Sequence, residues 1–193
     1  EAFPLTDVQQ AYWLGQSELF GLGNVATHLY SELDSQVLEP KRIVAAYNRL
    51  IRYHPMLRAV IQPDGTQRVL PEVPEYHPRI VDLRGGTPED VRTDLDRIRA
   101  VLSHQVLPPD RWPLFDGCIS LRDPHTVRLH LSFSLLILDA WSIRLLLRQL
   151  AMLYEFPDLE LPRLEVSFRD YVLFEESRKQ TAAYEQSRQY WTD

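Results

Sequence analysis

The spacing of apolar positions switches repeatedly between helical and strand periods along the chain. Thr6 followed by Gln9 is a capping box, opening a short helix through Tyr12, Trp13 and Leu14 that Gly15 ends. Residues 25–33 read as a strand after the loop Gly21-Leu22-Gly23-Asn24. The Gly-x-Gly there is a turn and no phosphate cradle, because cradles open helices and this loop opens β-type sequence. After Pro40, the apolar positions Ile43, Ala46, Tyr47, Leu50 and Ile51 recur at helical spacing, predicting a one-sided helix forced to end before Pro55. Strands at 57–61 and 67–70 flank Pro63-Asp64-Gly65, where proline presets the turn and glycine accepts a positive φ, so a hairpin is expected. Pro71, Pro74 and Pro78 interrupt regular structure before a short strand at 79–83. Thr87-Pro88-Glu89-Asp90 starts a helix to about Leu102, since it supplies an N-cap hydroxyl, a proline at the first helical position and acids facing the dipole. Strands at 114–121 and 127–134 follow, joined by a turn at Asp123-Pro124-His125, then helices at 140–154, 167–177 and 182–191. Strands and hairpins interspersed with helices predict an α+β fold, with helices mainly on one face of a mixed sheet.

The stretch 129–147 carries most of the chemistry. A strand there stops at an apolar turn holding a lone Asp139 and restarts as a helix, which gathers Ser134, Asp139 and Ser142 near a strand end. Leu129, Leu131 and Phe133 share one face of the strand; His130, Ser132 and Ser134 share the other, expected to line something wet or reactive. A triad of Ser134, His130 and Asp139 fails on distance, because four strand residues span roughly 13 Å at about 3.3 Å each. No Gly-x-Ser-x-Gly elbow supports a serine nucleophile either. Asp139 lies among Leu135, Leu136, Ile137, Leu138, Ala140 and Trp141, where an unpaired carboxylate would be costly, so a cation or several donors are expected. Arg58 is the candidate for a bidentate pair. Such a pair reads first as a rivet on the turn and only second as a proton-transfer group, since a guanidinium lowers a carboxylate's pKa and weakens it as a base.

Composition narrows the classes. With 193 residues, 45% of them apolar and 25% charged, the chain can bury a full core as one domain over 1–193. A net charge of −6 argues against a nucleic-acid backbone as ligand. The single cysteine, Cys118, permits no intrachain disulfide, sits in an apolar strand pattern and reads as a buried inert thiol, which suits the cytoplasm. Six histidines (His28, His54, His77, His104, His125, His130) lack ligand spacing, so no metal is expected. Arg144 and Arg148 form either a solvated basic face or, second, a phosphate contact. The N-terminus has no secretory signal pattern, and the aliphatic run 135–138 is far too short to cross a bilayer, so no membrane association is expected.

At these residues the chain resembles the condensation superfamily of nonribosomal peptide synthetases, and within it the heterocyclization (Cy) branch. The resemblance rests on six ordered segments: residues 3–12, residues 23–28, His54-Pro55-Met56-Leu57-Arg58, Val81-Asp82-Leu83-Arg84-Gly85, Trp112-Pro113-Leu114-Phe115-Asp116, and residues 132–142. Ordinary condensation domains carry His-His-x-x-x-Asp-Gly at the last of these; here Ser134, Leu135, Asp139 and Ala140 stand in those places. Heterocyclization domains carry Asp-x-x-x-x-Asp-x-x-Ser, to which Asp139 and Ser142 correspond, with Ser134 replacing the first Asp. The resemblance implies the N-terminal lobe of a chloramphenicol-acetyltransferase-like pair, inactive without its C-terminal lobe, with Ser134, Asp139 and Ser142 as catalytic candidates supported by Arg58. It also implies substrates borne on the 4'-phosphopantetheine of upstream and downstream carrier proteins, a neighbouring adenylation domain and no cofactor held by the lobe. The expected chemistry is amide formation with a tethered Cys, Ser or Thr, then cyclodehydration to a thiazoline or oxazoline. A degenerate domain that docks or gates carrier proteins is the alternative; a free-standing coenzyme A acyltransferase is disfavoured because that group relies on the absent histidine.

Overall fold

The computed structural model describes residues 1–16, 25–36 and 38–192. In chain order the elements are β1 (Phe3–Pro4), α1 (Asp7–Gly15), β2 (His28–Ser35), α2 (Pro40–Tyr53), a 3-10 turn (Pro55–Arg58), β3 (Ala59–Ile61), β4 (Thr66–Val69) and β5 (Arg79–Asp82). They continue with α3 (Pro88–Leu102), β6 (Phe115–Leu121), β7 (Val127–Ser134), α4 (Ala140–Glu155), α5 (Phe168–Arg178) and α6 (Ala182–Thr192). The fold is α+β, as expected, but the strands divide between two sheets. One is antiparallel with order β1-β4-β3; the other has order β2-β7-β6-β5 and is mixed, β5 running parallel to β6. A parallel pair needs a long crossover, which α3 supplies.

Local signals decide most boundaries. The capping box of Thr6 and Gln9 closes in both directions, and equivalent boxes start α3 at Thr87 with Asp90 and α5 at Ser167 with Asp170. Between β3 and β4 the hairpin turns through Gly65 at φ +79°, a conformation open to glycine. At the other hairpin, Asp123 accepts the amides of His125 and Thr126, and β6 and β7 pair in antiparallel register. The strand expected at 25–33 sits later, at His28–Ser35, because Glu32 and Asp34 continue the pairing with β7 through ion pairs to Arg128 that hydropathy does not register. The Gly-x-Gly loop at 21–24 lies outside the described residues.

Helices α2 and α4 cover the face of the mixed sheet that carries Leu129, Leu131 and Phe133, with Leu50, Ile51, Leu146 and Leu150 in the same cluster. Phe115 stands at its centre, fully buried and in ring contact with Tyr47, Tyr76, Trp112 and Phe133. Across the sheet, α3 sets Ile98 and Leu102 against Cys118. The chain after α4 is strapped to α2: Arg49 donates to the carbonyls of Pro157 and Leu159, and Tyr53 to that of Pro162. No helix among the described residues is long and apolar enough to cross a membrane.

Truncating the central ring leaves a cavity that four aromatic neighbours cannot fill. Phe115→Ala is therefore expected to cost about 3–5 kcal/mol, read as a shift of the urea midpoint at unchanged slope.

Candidate functional site

The turn between β7 and α4 is irregular, yet its side chains are core residues: Leu136 is 1% exposed and Ile137 5%. Burying them draws the backbone inward, and every buried polar group must then find a partner. The amide of Ser134 donates to Leu114 O and that of Leu135 to Thr27 O, at 3.0 and 2.9 Å. The amide of Leu136 donates to Ser134 Oγ (3.3 Å) and that of Ile137 to Ser134 O (3.3 Å). The carbonyl of Leu136 accepts from Gln9 Nε2 at 2.7 Å. Gln9 in turn exchanges amide hydrogen bonds with Gln67 of β4, fully buried, which also donates to Pro4 O.

Asp139 ends the turn as the N-cap of α4, its Oδ1 accepting the Ser142 amide at 2.7 Å. Hydrogen bonds from the Ser142 backbone and then its side chain hold the carboxyl below the ordinary carboxylate range. Asp139 and Ser142 are thus brought together at the helix start. Ser134 is not joined to them: its side chain is buried on the far face of β7, opposite His28, with its oxygen committed to Leu136 N.

Two expectations are corrected. Asp139 is exposed and makes no ion pair among the described residues, so the clamp with Arg58 does not form. Solvent and the first amides of α4 already satisfy its charge, which removes the need for a guanidinium. Arg58 instead donates to the carbonyls of Leu70, Ile51 and Arg52, fastening the end of α2 to the hairpin. The second correction concerns the polar face of β7. His130, Ser132 and Ser134 are 0%, 1% and 4% exposed, because α3 covers the face expected to be wet.

That covered face holds a relay that pattern reading missed, since its members lie on three strands. Tyr30 OH donates to Glu32 Oε1 (2.8 Å) and lies 2.7 Å from His130 Nδ1, while His130 Nε2 lies 2.9 Å from Ser120 Oγ. The one hydroxyl proton of Tyr30 is given to Glu32, so Nδ1 carries the imidazole proton and Nε2 accepts from Ser120. Arg99 and Arg128 bind Glu32, and Arg128 and Arg122 bind Asp34. Their hydrogen bonds hold both carboxylates low, against burial. Ser120 and His130 have no exposed surface, so this arrangement braces the sheet from within. Cys118 beside it is buried, and burial lifts its thiol pKa, leaving it unreactive. Outside the sheet, Arg144 lies over the Trp141 ring at 5.7 Å. No group of His, Cys, Asp and Glu able to hold a metal occurs among the described residues.

Comparison with known proteins adds a family. The Condensation domain model matches residues 1–193. The chain is 38% identical over 192 residues to pyochelin synthetase PchF of Pseudomonas aeruginosa, covering 99% of this chain and 11% of that protein. It is 39% identical over 173 residues to phenyloxazoline synthase MbtB of Mycobacterium tuberculosis, covering 89% of this chain and 12% of that protein. Among solved structures, the EpoB NRPS cyclization-docking bidomain of Sorangium cellulosum superposes with a TM-score of 0.93 at 36% identity, over 99% of this chain and 38% of that one. The chain therefore spans only a small part of these relatives.

The relay makes the fold acid-sensitive in a defined window. Burial pushes the His130 pKa down to about 4, whereas an unfolded histidine titrates near about 6.5. Between those values the unfolded chain binds a proton that the folded chain refuses, so stability falls as pH drops through the window and is unaffected above it. The urea midpoint is expected to fall between pH 7 and pH 5, and in His130→Gln that fall should shrink.

Proposed function

Because the chain belongs to the condensation-domain family of nonribosomal peptide synthetases, we propose that it is the first lobe of a heterocyclization domain. In this reading a carrier-bound acyl or peptidyl thioester is attacked by the amine of a carrier-bound Cys, Ser or Thr. The thiolate of the donor leaves, an amide forms, and the acceptor's side-chain thiol or hydroxyl then adds to the new carbonyl with loss of one water. A thiazoline or oxazoline results. The observation that carries the reading is the Asp139–Ser142 pair at the start of α4, which reproduces the Asp-x-x-Ser half of the heterocyclization pattern as a formed structure. The names of two relatives, a phenyloxazoline synthase and a cyclization domain, support the same branch.

The geometry supports the following roles. Asp139 stays ionised, which makes it a weak base but a sound hydrogen-bond anchor for the N–H of the attacking neutral amine while its other oxygen keeps the helix capped. Ser142 holds that carboxylate in place. Tethering both substrates supplies much of the rate, since well-oriented intramolecular reactions reach effective molarities on the order of 10⁵ M or more. The site is completed by the second lobe of the same domain, the carrier proteins deliver phosphopantetheine-bound substrates to it, and an adenylation domain loads the acceptor.

A second reading has its own observation. Ser134 stands where the pattern has Asp, and its buried hydroxyl is occupied by Leu136 N, so it contributes no charge. A lobe that docks or gates carrier proteins without closing a ring would tolerate that.

Asp139→Ala in the intact synthetase is expected to abolish both amide and ring formation, followed by mass spectrometry of carrier-bound intermediates. Asp139→Asn keeps a good N-cap and loses the charge, so it should fold normally and still lose at least about tenfold in amide formation. Full product from either variant removes the carboxylate from the chemistry. Ser134→Asp discriminates the second reading: a ring-forming activity that appears only in this variant identifies the native lobe as degenerate.

A further inference from the structure

We infer that Gln9 is a positioning residue for the reaction assigned to the β7–α4 turn, an inference that rests on that assignment. Gln9 is 6% exposed and uses every hydrogen-bonding position of its amide. Its Oε1 accepts from Thr6 N at 3.0 Å and from Gln67 Nε2 at 2.9 Å, and its Nε2 donates to Gln67 Oε1 at 3.0 Å and to Leu136 O at 2.7 Å. The capping box requires only the oxygen. A glutamate at this position would cap as well and would favour the helix dipole besides. What needs an amide is the carbonyl of Leu136, 127 positions away in sequence, which lies inside the turn between Ser134 and Asp139.

The turn has no other side-chain donor from outside its own strand and helix among the hydrogen bonds described above. Thr27 and Leu114 hold its entry through backbone pairing, and Asp139 holds its exit through α4. Gln9 alone fixes the middle, from helix α1, with Gln67 of the smaller sheet and Pro4 O behind it keeping the amide in one orientation. Loss of the donor leaves a buried carbonyl unpaired and lets the path from Ser134 to Asp139 relax. Where two tethered substrates must meet, a displacement of about 1 Å costs on the order of 10²-fold in rate. The N-terminal helix thereby sets where Asp139 stands without touching substrate.

The test compares variants of the intact synthetase at a temperature where each is folded by circular dichroism. Thr6→Val breaks the capping box but leaves the bond to Leu136; Gln9→Met breaks both. Both should melt lower than the wild type. Only Gln9→Met should lose kcat for amide formation, by about 10²-fold, with KM for the carrier-bound acceptor held within about threefold. If Gln9→Met is insoluble, Gln9→Glu, which keeps the cap acceptor, is judged by the same kcat and KM split. Equal kcat losses in Thr6→Val and Gln9→Met, or a kcat in both Gln9 variants within about threefold of wild type, overturn the inference. Asp139→Ala run in parallel keeps the two readings apart. If it retains turnover, the assignment of the turn as reacting centre fails; if it loses turnover while Gln9→Met keeps it, only the positioning role fails.

Discussion

An irregular turn buried in a core has no ladder to satisfy its backbone, so each amide and carbonyl must be met individually. The path from Leu135 to Leu138 is such a turn, and the rest of the lobe is arranged around supplying it. Neighbouring strands hold its entry, Ser134 holds two of its amides, and Gln9 of α1, braced by Gln67 of the smaller sheet, reaches its central carbonyl. The two sheets are therefore coupled at the turn between β7 and α4. This also gives Ser134 a physical role independent of any reaction: a hydroxyl can accept from Leu136 N while buried, without the desolvation cost of a charged carboxylate.

Much of this lobe was legible in the chain itself, because local signals and apolar periodicity agree with the final packing. The helix from Pro40, the glycine turn at 63–65, the Thr87 start and the strand–turn–helix from Val127 to Glu155 all sit where short-range chemistry puts them. The strand at His28–Ser35 sits later than hydropathy places it because its last residues are held by ion pairs of Glu32 and Asp34 with Arg128 across the sheet. β1 is two residues long and forms only because β4 is there to receive it. Gln9 was visible as a cap, yet nothing local announces that its second amide hydrogen is directed at a residue more than a hundred positions away.

The two corrections share a cause. Apolar neighbours in sequence suggested a buried Asp139 needing Arg58, and polar alternation suggested a wet face on β7. Burial is decided by what packs over a residue. At Asp139 the helix turns outward and leaves the carboxylate in solvent; over His130 the crossover helix α3 closes a face that alternation marks as polar. The candidate residues have partners other than those expected: Asp139 has Ser142, Ser134 has the turn backbone, and Arg58 has three carbonyls.

Among the described residues β2 has a neighbour on one side only, which leaves a row of backbone groups open to a foreign strand. The ion pairs that Glu32 and Asp34 make with Arg99, Arg122 and Arg128 hold that border in a charged, side-chain-locked state. Any intruding strand would have to accommodate clustered charges of both signs along the rim, so the same contacts that extend the strand also guard the lobe against edge-to-edge aggregation.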